Sequence, residues 1–346
     1  MDNLFSDSVE RLLSEISTPM AIRAIENGSD ITAMWQSFEE SGFLDALVPE
    51  SQDGAGLTLD QVFPILTSAG RNAVPLPFAH TMLARGWLAA AGVAAPSGPI
   101  TIAGLGMRLD EGVIEGRTIP FGRVAHWVLA DLGDYCALLP VAGATSQEAE
   151  VHGSLSATLR WEKWPEGAVK ISASSQAASG LSELAAAGYA ALMAGVSDRV
   201  LELTLDYANQ RSQFGKNIGR FQAVQSQISL MAERTWATRM AAQLACQSTA
   251  CSPSPLLAAV GKARASEAAP IIADIGHAVH GAIGITEEYD LQLYTRRLRE
   301  WRLAEGAETY WCSRLGSALL AQPEHSALSF ICAKLSASSH ACAAAH

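Results

Sequence analysis

RSQFGKNIGRFQ, residues 211–222, separates two long stretches of helical periodicity. Before it, Ala185, Tyr189, Leu192, Val196, Val200, Leu203 and Tyr207 recur every three or four residues, which lays them on one stripe of an α-helix. After it, Phe221, Val224, Ile228, Met231 and Thr235 repeat the pattern. A third helical stretch runs from about Pro255 to Val279, with Pro270 expected to kink or bound it, and a fourth from about Tyr289 to Leu320. Four long helices joined by short breaks predict a bundle over residues 177–322.

Upstream, residues 1–97 read as a helical unit. SDITAMWQSFEESG opens on a Ser29/Asp30 cap and ends at Gly42, TLDQVFPILTSAG starts at Thr58 and stops at Gly70, and VPESQDGAGL between them is a loop. Over residues 98–176 the texture changes to the short apolar runs ITIAGL, WVLADL, CALLPV and ATLRW, which predict a small β domain. GLG at 104–106 is not part of a GxGxxG that opens a helix, so it gives no support to a dinucleotide-binding Rossmann site. Residues 323–346 form a tail rich in small residues. The expected class is mainly α with a small β domain.

The 346 residues are 49% apolar, a globular composition. The Ala-rich stretches are broken by charged residues, so no membrane span is expected. Asp2, Asp7, Glu10 and Glu15 exclude a secretory signal from the first 20 residues, which points to the cytoplasm. Cys136, Cys246, Cys251, Cys312, Cys332 and Cys342 form no CxxC pair or metal-ligand spacing. The net charge of −11 argues against nonspecific nucleic-acid binding, and the basic group Arg296, Arg297, Arg299 and Arg302 reads as a solvated or subunit-facing helix side.

Three segments could carry chemistry. In RSQFGKNIGRFQ, Arg211, Gln213, Lys216 and Arg220 gather donors around Phe214, which suits an anionic ligand or, alternatively, a basic helix C-terminus complementing its dipole. In HAVHGAIGITEEYDLQLYTRR, residues 277–297, Gly281, Ala282 and Gly284 allow close backbone approach, and Thr286 is expected to cap the next helix. His280 is there either a ligand contact or a structural histidine. In REWRLAEGAETYW, residues 299–311, the 4-3-4-3-4 spacing of Tyr294, Leu298, Trp301, Glu305, Glu308 and Cys312 puts Glu305 on an apolar helix face. Glu305 either pairs with Arg302 or is a general base tuned by its apolar setting. Gly306 costs about 1 kcal/mol within a helix, so it implies a need for space beside the carboxylate.

Together these segments resemble the acyl-CoA dehydrogenase family of flavoproteins. RSQFGKNIGRFQAVQ is similar to that family's signature after the first long C-terminal helix, HGAIGITEEYDLQLYTRR to its Gly-rich turn and following helix, and Glu305-Gly306 to its catalytic Glu-Gly in register from Glu288. VPESQDGAGL resembles the loop after the early helices. The likeness is strong over about 190–312, fair before 95 and poor between. It implies a helical first domain, a β middle domain and a C-terminal four-helix bundle in dimers or tetramers, with FAD as cofactor and an acyl-CoA as substrate. It assigns Glu305 the removal of the α-proton while the β-hydrogen leaves as hydride to the flavin. By the same resemblance Arg211, Gln213, Phe214, Phe221 and Gln222 touch the FAD of a neighbouring subunit. Ala278, His280, Gly281 and Ala282 approach that cofactor's pyrophosphate or adenine, and Gly306 lines the thioester pocket.

Several positions depart from the family pattern. The middle domain is short and lacks the Thr-Glu-Pro…Gly-Ser-Asp segment; the one Gly-Ser-Asp, at 28–30, falls in the first domain. Ala278 stands where the family has Gln, Ala282 replaces the second Gly of the turn, and Ala186 stands where an Arg commonly contacts CoA. The pattern resembles the family's short subunits, which pair with a full-length homologue in a heterotetramer for fatty acid, steroid side-chain or dicarboxylic acyl-CoA substrates. An electron-transferring flavoprotein is the acceptor this resemblance implies. The alternatives are a noncatalytic structural subunit of such a complex and a flavin oxidase or monooxygenase on the same fold.

Overall fold

The computed structural model describes residues 2–172, 180–322 and 326–335. The boundary expected between 176 and 177, and most of the tail expected from 323, lie outside the described residues. The first unit comprises α1 (Asp2–Ile16), α2 (Pro19–Glu26), α3 (Thr32–Ser41), α4 (Leu59–Arg71) and α5 (Phe78–Ala90). Local signals set several of these ends. Asp30 Oδ1 accepts from the backbone N–H of Thr32 at 3.3 Å, and Gly42 stops α3 at φ 73°. Thr58 and Gln61 form a reciprocal capping box at the start of α4. Gly70, expected as a stop, lies inside α4.

Its role is close approach to α6 (Leu181–Gln210), a helix of 30 residues. A Cβ on Gly70 would sit 2.0 Å from the carbonyl oxygen of Leu192, and one on Gly195 would sit 1.9 Å from that of Thr67. Two glycines therefore let the backbones of α4 and α6 touch. By length and composition α6 and the stretch 255–285 could each cross a bilayer, and 83% of the α6 window is buried within the protein.

Between the helical units lie two four-stranded sheets. The inner sheet has the order β1 (Ile100–Ala103), β4 (Trp127–Asp131), β5 (Tyr135–Pro140), β8 (Val169–Ser172); the outer has β2 (Met107–Asp110), β3 (Val113–Ile119), β7 (Ala157–Trp161), β6 (Thr145–Glu148). β1 and β4 run parallel, and the other neighbours are antiparallel. Side chains alternate across the inner sheet. Ala103, Val128, Ala130, Ala137 and Leu139 face the outer sheet, while Ile100, Ile102, Leu129 and Leu138 join the helical core. Burial on both faces explains the continuous apolar runs of β1, β4 and β5.

The last unit continues from α6 through a hairpin of β9 (Ser212–Gln213) and β10 (Lys216–Asn217) into α7 (Gln222–Cys246) and α8 (Pro255–His280). Pro270 lies within α8 and does not bound it. The fourth expected helix is two, α9 (Leu291–Leu303) and α10 (Glu308–Leu320), with a short α11 (Ala327–Phe330) beyond. Thr286 caps neither: its hydroxyl donates to Ile283 O at 2.8 Å, and α9 begins after Asp290. The break between α9 and α10 contains Glu305.

The α4–α6 crossing makes a paired test. Gly195→Ala forces a Cβ onto a backbone carbonyl and should lower stability by about 1–3 kcal/mol, the scale of core overpacking. Gly316→Ala in α10 meets nothing within 4 Å and should be neutral or stabilising by up to about 1 kcal/mol. Thermal melting of the two variants beside the wild type reads both; equal Tm values would contradict the packing account.

Candidate active site

Glu305 is 6% exposed and adopts φ 53°, followed by Gly306 at φ 87°. It therefore lies in a turn and not on a continuous helical face. Left-handed backbone is unfavourable for a glutamate, so neighbours must hold it. Trp311 donates its indole N–H to the carbonyl of Glu305 at 2.9 Å. Lys262, from α8, donates to the carbonyls of Arg302 at 3.0 Å and Gly306 at 2.8 Å. A Cβ on Gly306 would meet Tyr310 Cδ1 at 2.7 Å and Trp311 Nε1 at 2.9 Å. Gly306 is thus required by φ and by these two rings, as well as standing beside the carboxylate.

The expected alternative, a Glu305–Arg302 pair, is not formed. Arg302 grips Glu308 instead, its Nε 3.0 Å from Oε2. The Glu305 carboxylate turns toward the end of β1, where Oε1 accepts the N–H of Gly104 at 3.1 Å. Oε2 is buried without a hydrogen-bond partner. Burial pushes the Glu305 carboxyl up to about 8, against the opposing pull of the Gly104 amide, the Lys262 charge and the Leu105 amide. A Cβ on Gly104 would come within 2.6 Å of Ser182 Cα and 3.0 Å of Glu305 Oε2, so a glycine is needed where β1 meets α6 and the carboxylate.

Glu305 and Gly306 line a cleft of about 880 Å³ between the β sheets and α9. Leu105, Ile119, Val151 and Leu303 give it apolar walls. On another wall Glu300 accepts the hydroxyls of Ser154 at 2.7 Å and Ser156 at 2.6 Å. Beneath Glu305, Tyr189 is fully buried with its hydroxyl unpaired; burial, then the charges of Glu305 and Glu300, push its pKa up.

None of the other candidate residues lines this cleft. Arg211, Gln213 and Gln222 are exposed, Phe221 is half-buried, and Phe214, at the hairpin tip with φ 52°, is 92% exposed. Lys216 Nζ sits 4.3 Å above the Phe221 ring. Ala278, Gly281 and Ala282 are exposed, and Gly281 has open space where a Cβ would be. His280 differs: its ring is buried, bonded through Nδ1 to Gly276 O at 2.7 Å and stacked 4.5 Å from Tyr207. Hairpin and turn share one end of the bundle. Lys262, beside Glu305, is 18 residues before His280 on the same helix, about 27 Å away along its axis.

Sequence reasoning missed Gly104 and Lys262. Gly104 is 201 positions from Glu305, beyond any local pattern, though a Gly-x-Gly directly after a strand marked close approach. Lys262 is the single lysine in a helix of mostly small residues, a signal that it is enclosed.

Residues 176–320 match the family model described as Acyl-CoA dehydrogenase, C-terminal domain. The acyl-CoA dehydrogenase IpdE2 of Mycobacterium tuberculosis is 28% identical over 299 residues, 85% of this chain and 89% of that protein. A variant of the Tcur3481-Tcur3483 steroid ACAD superposes with a TM-score of 0.79 at 23% identity, over 94% of this chain and 100% of that one. The ChsE4-ChsE5 complex from Mycobacterium tuberculosis gives 0.74 at 20% identity, over 92% and 97%. The two structural likenesses establish the fold.

Because the Glu305 carboxyl holds its proton more tightly folded than unfolded, its contribution to wild-type stability should fall as pH rises from 4.5 toward about 8 and level off above. Glu305→Gln removes that slope. Its gain in Tm over the wild type should be larger at pH 8 than at pH 5; an equal gain at both would mean that Glu305 does not titrate in this window.

Proposed function

We propose that the chain is a member of the acyl-CoA dehydrogenase family, whose C-terminal domain it matches over residues 176–320, and that it serves the FAD-dependent α,β-dehydrogenation of an acyl-CoA thioester, as the short subunit of a heteromer with a full-length homologue. The observation that carries this reading is Glu305: a buried carboxylate, with one oxygen unpaired, in a held turn beside a cleft of about 880 Å³. Glu305 is the base that takes the α-proton. Its raised pKa gives it more basicity than an exposed carboxylate, and the apolar walls keep water from competing for the proton. Gly306 adds no side chain where the thioester approaches.

The family's cofactor is FAD, which when bound accepts the hydride leaving the β-carbon. The residues present fit it in two separate places. The cleft offers apolar walls beside Glu305. At the far end of the bundle, exposed Arg211, Gln213, Phe214 and Gln222, with Phe221, fit an anionic and aromatic group, and the open backbone at Ala278, Gly281 and Ala282 permits close approach. His280 supports that turn from within. A span of about 27 Å between the two places supports a cofactor shared across a subunit boundary, with the hairpin reaching a neighbour's site. An electron-transferring flavoprotein is the proposed acceptor and the cytoplasm the proposed compartment.

One observation favours the alternative of a structural subunit. The carboxylate of Glu305 is engaged by the amide of Gly104, and the middle domain lacks the family's Thr-Glu-Pro.

Co-expression with a full-length homologue separates the readings. The complex should be yellow and reduce an artificial electron acceptor with an acyl-CoA. Glu305→Gln should keep the flavin and lose about 10²–10⁴-fold in kcat. The wild-type kcat/KM should rise with pH through about 8, because the base must be unprotonated in the free enzyme. Full activity of Glu305→Gln would eliminate Glu305 as base, and stoichiometric FAD on the chain purified alone would eliminate the heteromer.

A further inference from the structure

We propose that Lys262 is the positioning residue of this site: its ammonium fixes the backbone that presents Glu305 and supplies the positive charge that keeps the carboxylate able to ionise. The proposal rests on the reading of Glu305 as the base, but concerns only how that carboxylate is held and titrated.

Lys262 is fully buried. A buried cation is costly unless it is paired and hydrogen-bonded, and an apolar residue of the same volume would usually serve packing as well. Here the nitrogen has three acceptors: Ser266 Oγ at 3.0 Å, Arg302 O at 3.0 Å and Gly306 O at 2.8 Å. The Ser266 hydroxyl also lies 3.2 Å from Arg302 O, and with its proton there its lone pair faces Lys262. In that arrangement the three acceptors take three N–H groups, the number an ammonium carries. Burial pulls Lys262 down to about 7, while the charges of Glu305 and Glu308 oppose the fall and that of Arg302 adds to it; the hydrogen bonds from Nζ favour the charged form.

The two carbonyls that Lys262 holds bracket the left-handed Glu305, so the ammonium acts on the strained backbone that presents the carboxylate. The other groups facing the pair do not supply the charge. Tyr189, from α6, lies under Lys262 with its ring centre 6.0 Å from Nζ and is neutral. Arg302, from α9, is committed to Glu308 of α10. Asp131, from β4, and Glu300, from α9, are acids and raise the pKa of Glu305 and of Tyr189, respectively. Lys262 is the cation that acts on Glu305.

The test uses the free full-length chain, with neither acyl-CoA nor flavin. The Glu305 carboxyl is followed through pH by infrared difference against Glu305→Gln. In Lys262→Met the Glu305 midpoint should rise by about 1 unit or more, the scale exerted by a nearby opposite charge. An unchanged midpoint in the folded variant overturns the proposal. If Lys262→Met does not fold, the reciprocal measurement decides: the side-chain NMR titration of Lys262 should move to lower pH in the isosteric Glu305→Gln, and no movement overturns the coupling. Both shifts appearing in a chain whose complex performs no dehydrogenation would fault the base assignment and leave the Lys262–Glu305 coupling standing.

Discussion

Taking a carboxylate out of water on a left-handed backbone imposes two penalties at one residue, and the packing around residues 302–311 answers both. A non-glycine residue at φ 53° costs about 1–3 kcal/mol, and the desolvated charge costs more unless it is compensated. The indole of Trp311 and the ammonium of Lys262 hold the carbonyls around the turn, and the Gly104 amide meets one carboxylate oxygen. These three contacts come from α10, from α8 and from the residue that follows β1. The geometry of Glu305 therefore depends on the assembly of the bundle with the β sheets, and neither unit alone would hold it. The unpaired Oε2 is the remaining imbalance. A carboxylate paired on both oxygens would be a weaker base, so leaving one free suits proton transfer.

What was legible in the sequence follows from which signals are local. The stripe from Ala185 to Tyr207 marked α6 because a helix repeats its buried face every turn. The same rule misled over 289–320. Trp301 and Trp311 are both buried, and the apolar spacing continues across 304–307 although the chain turns there, so periodicity joined two helices into one. In the inner sheet β1, β4 and β5 were legible because burial on both faces makes them continuously apolar, whereas β2, β6 and β8 are mostly exposed and give no apolar run. Gly70 was taken for a stop because the α6 backbone that demands it lies more than 100 positions away. At the site, Glu-Gly was visible as a pair, but the partners that set its chemistry, Gly104 and Lys262, are joined to it only by folding.

The distance between the two sets of candidate residues constrains what one chain can do. The hairpin and the 278–282 turn stand at the end of the bundle where α6 finishes and α7 starts, and Glu305 stands about 27 Å away along α8. The intervening length of α6 and α8 is packed core, so no loop movement within the chain brings Phe214 or Arg211 to Glu305. The exposed Phe214, at the tip of a two-stranded hairpin with basic side chains nearby, packs edge-on against Phe221 at 6.2 Å and leaves most of its ring open to solvent. On the proposed reading it belongs to a site whose other half is on another chain. The segment 103–106 then decides how the labour is divided. In this chain that segment consists of small and aliphatic residues packed on Ser182 and the carboxylate, and it offers backbone amides but no polar side chain. Polar side chains reach the cleft from other segments of this chain, Thr118, Arg296 and Arg299 among them, and on the proposed reading the proton acceptor, its strained turn and its counter-charge are supplied here as well.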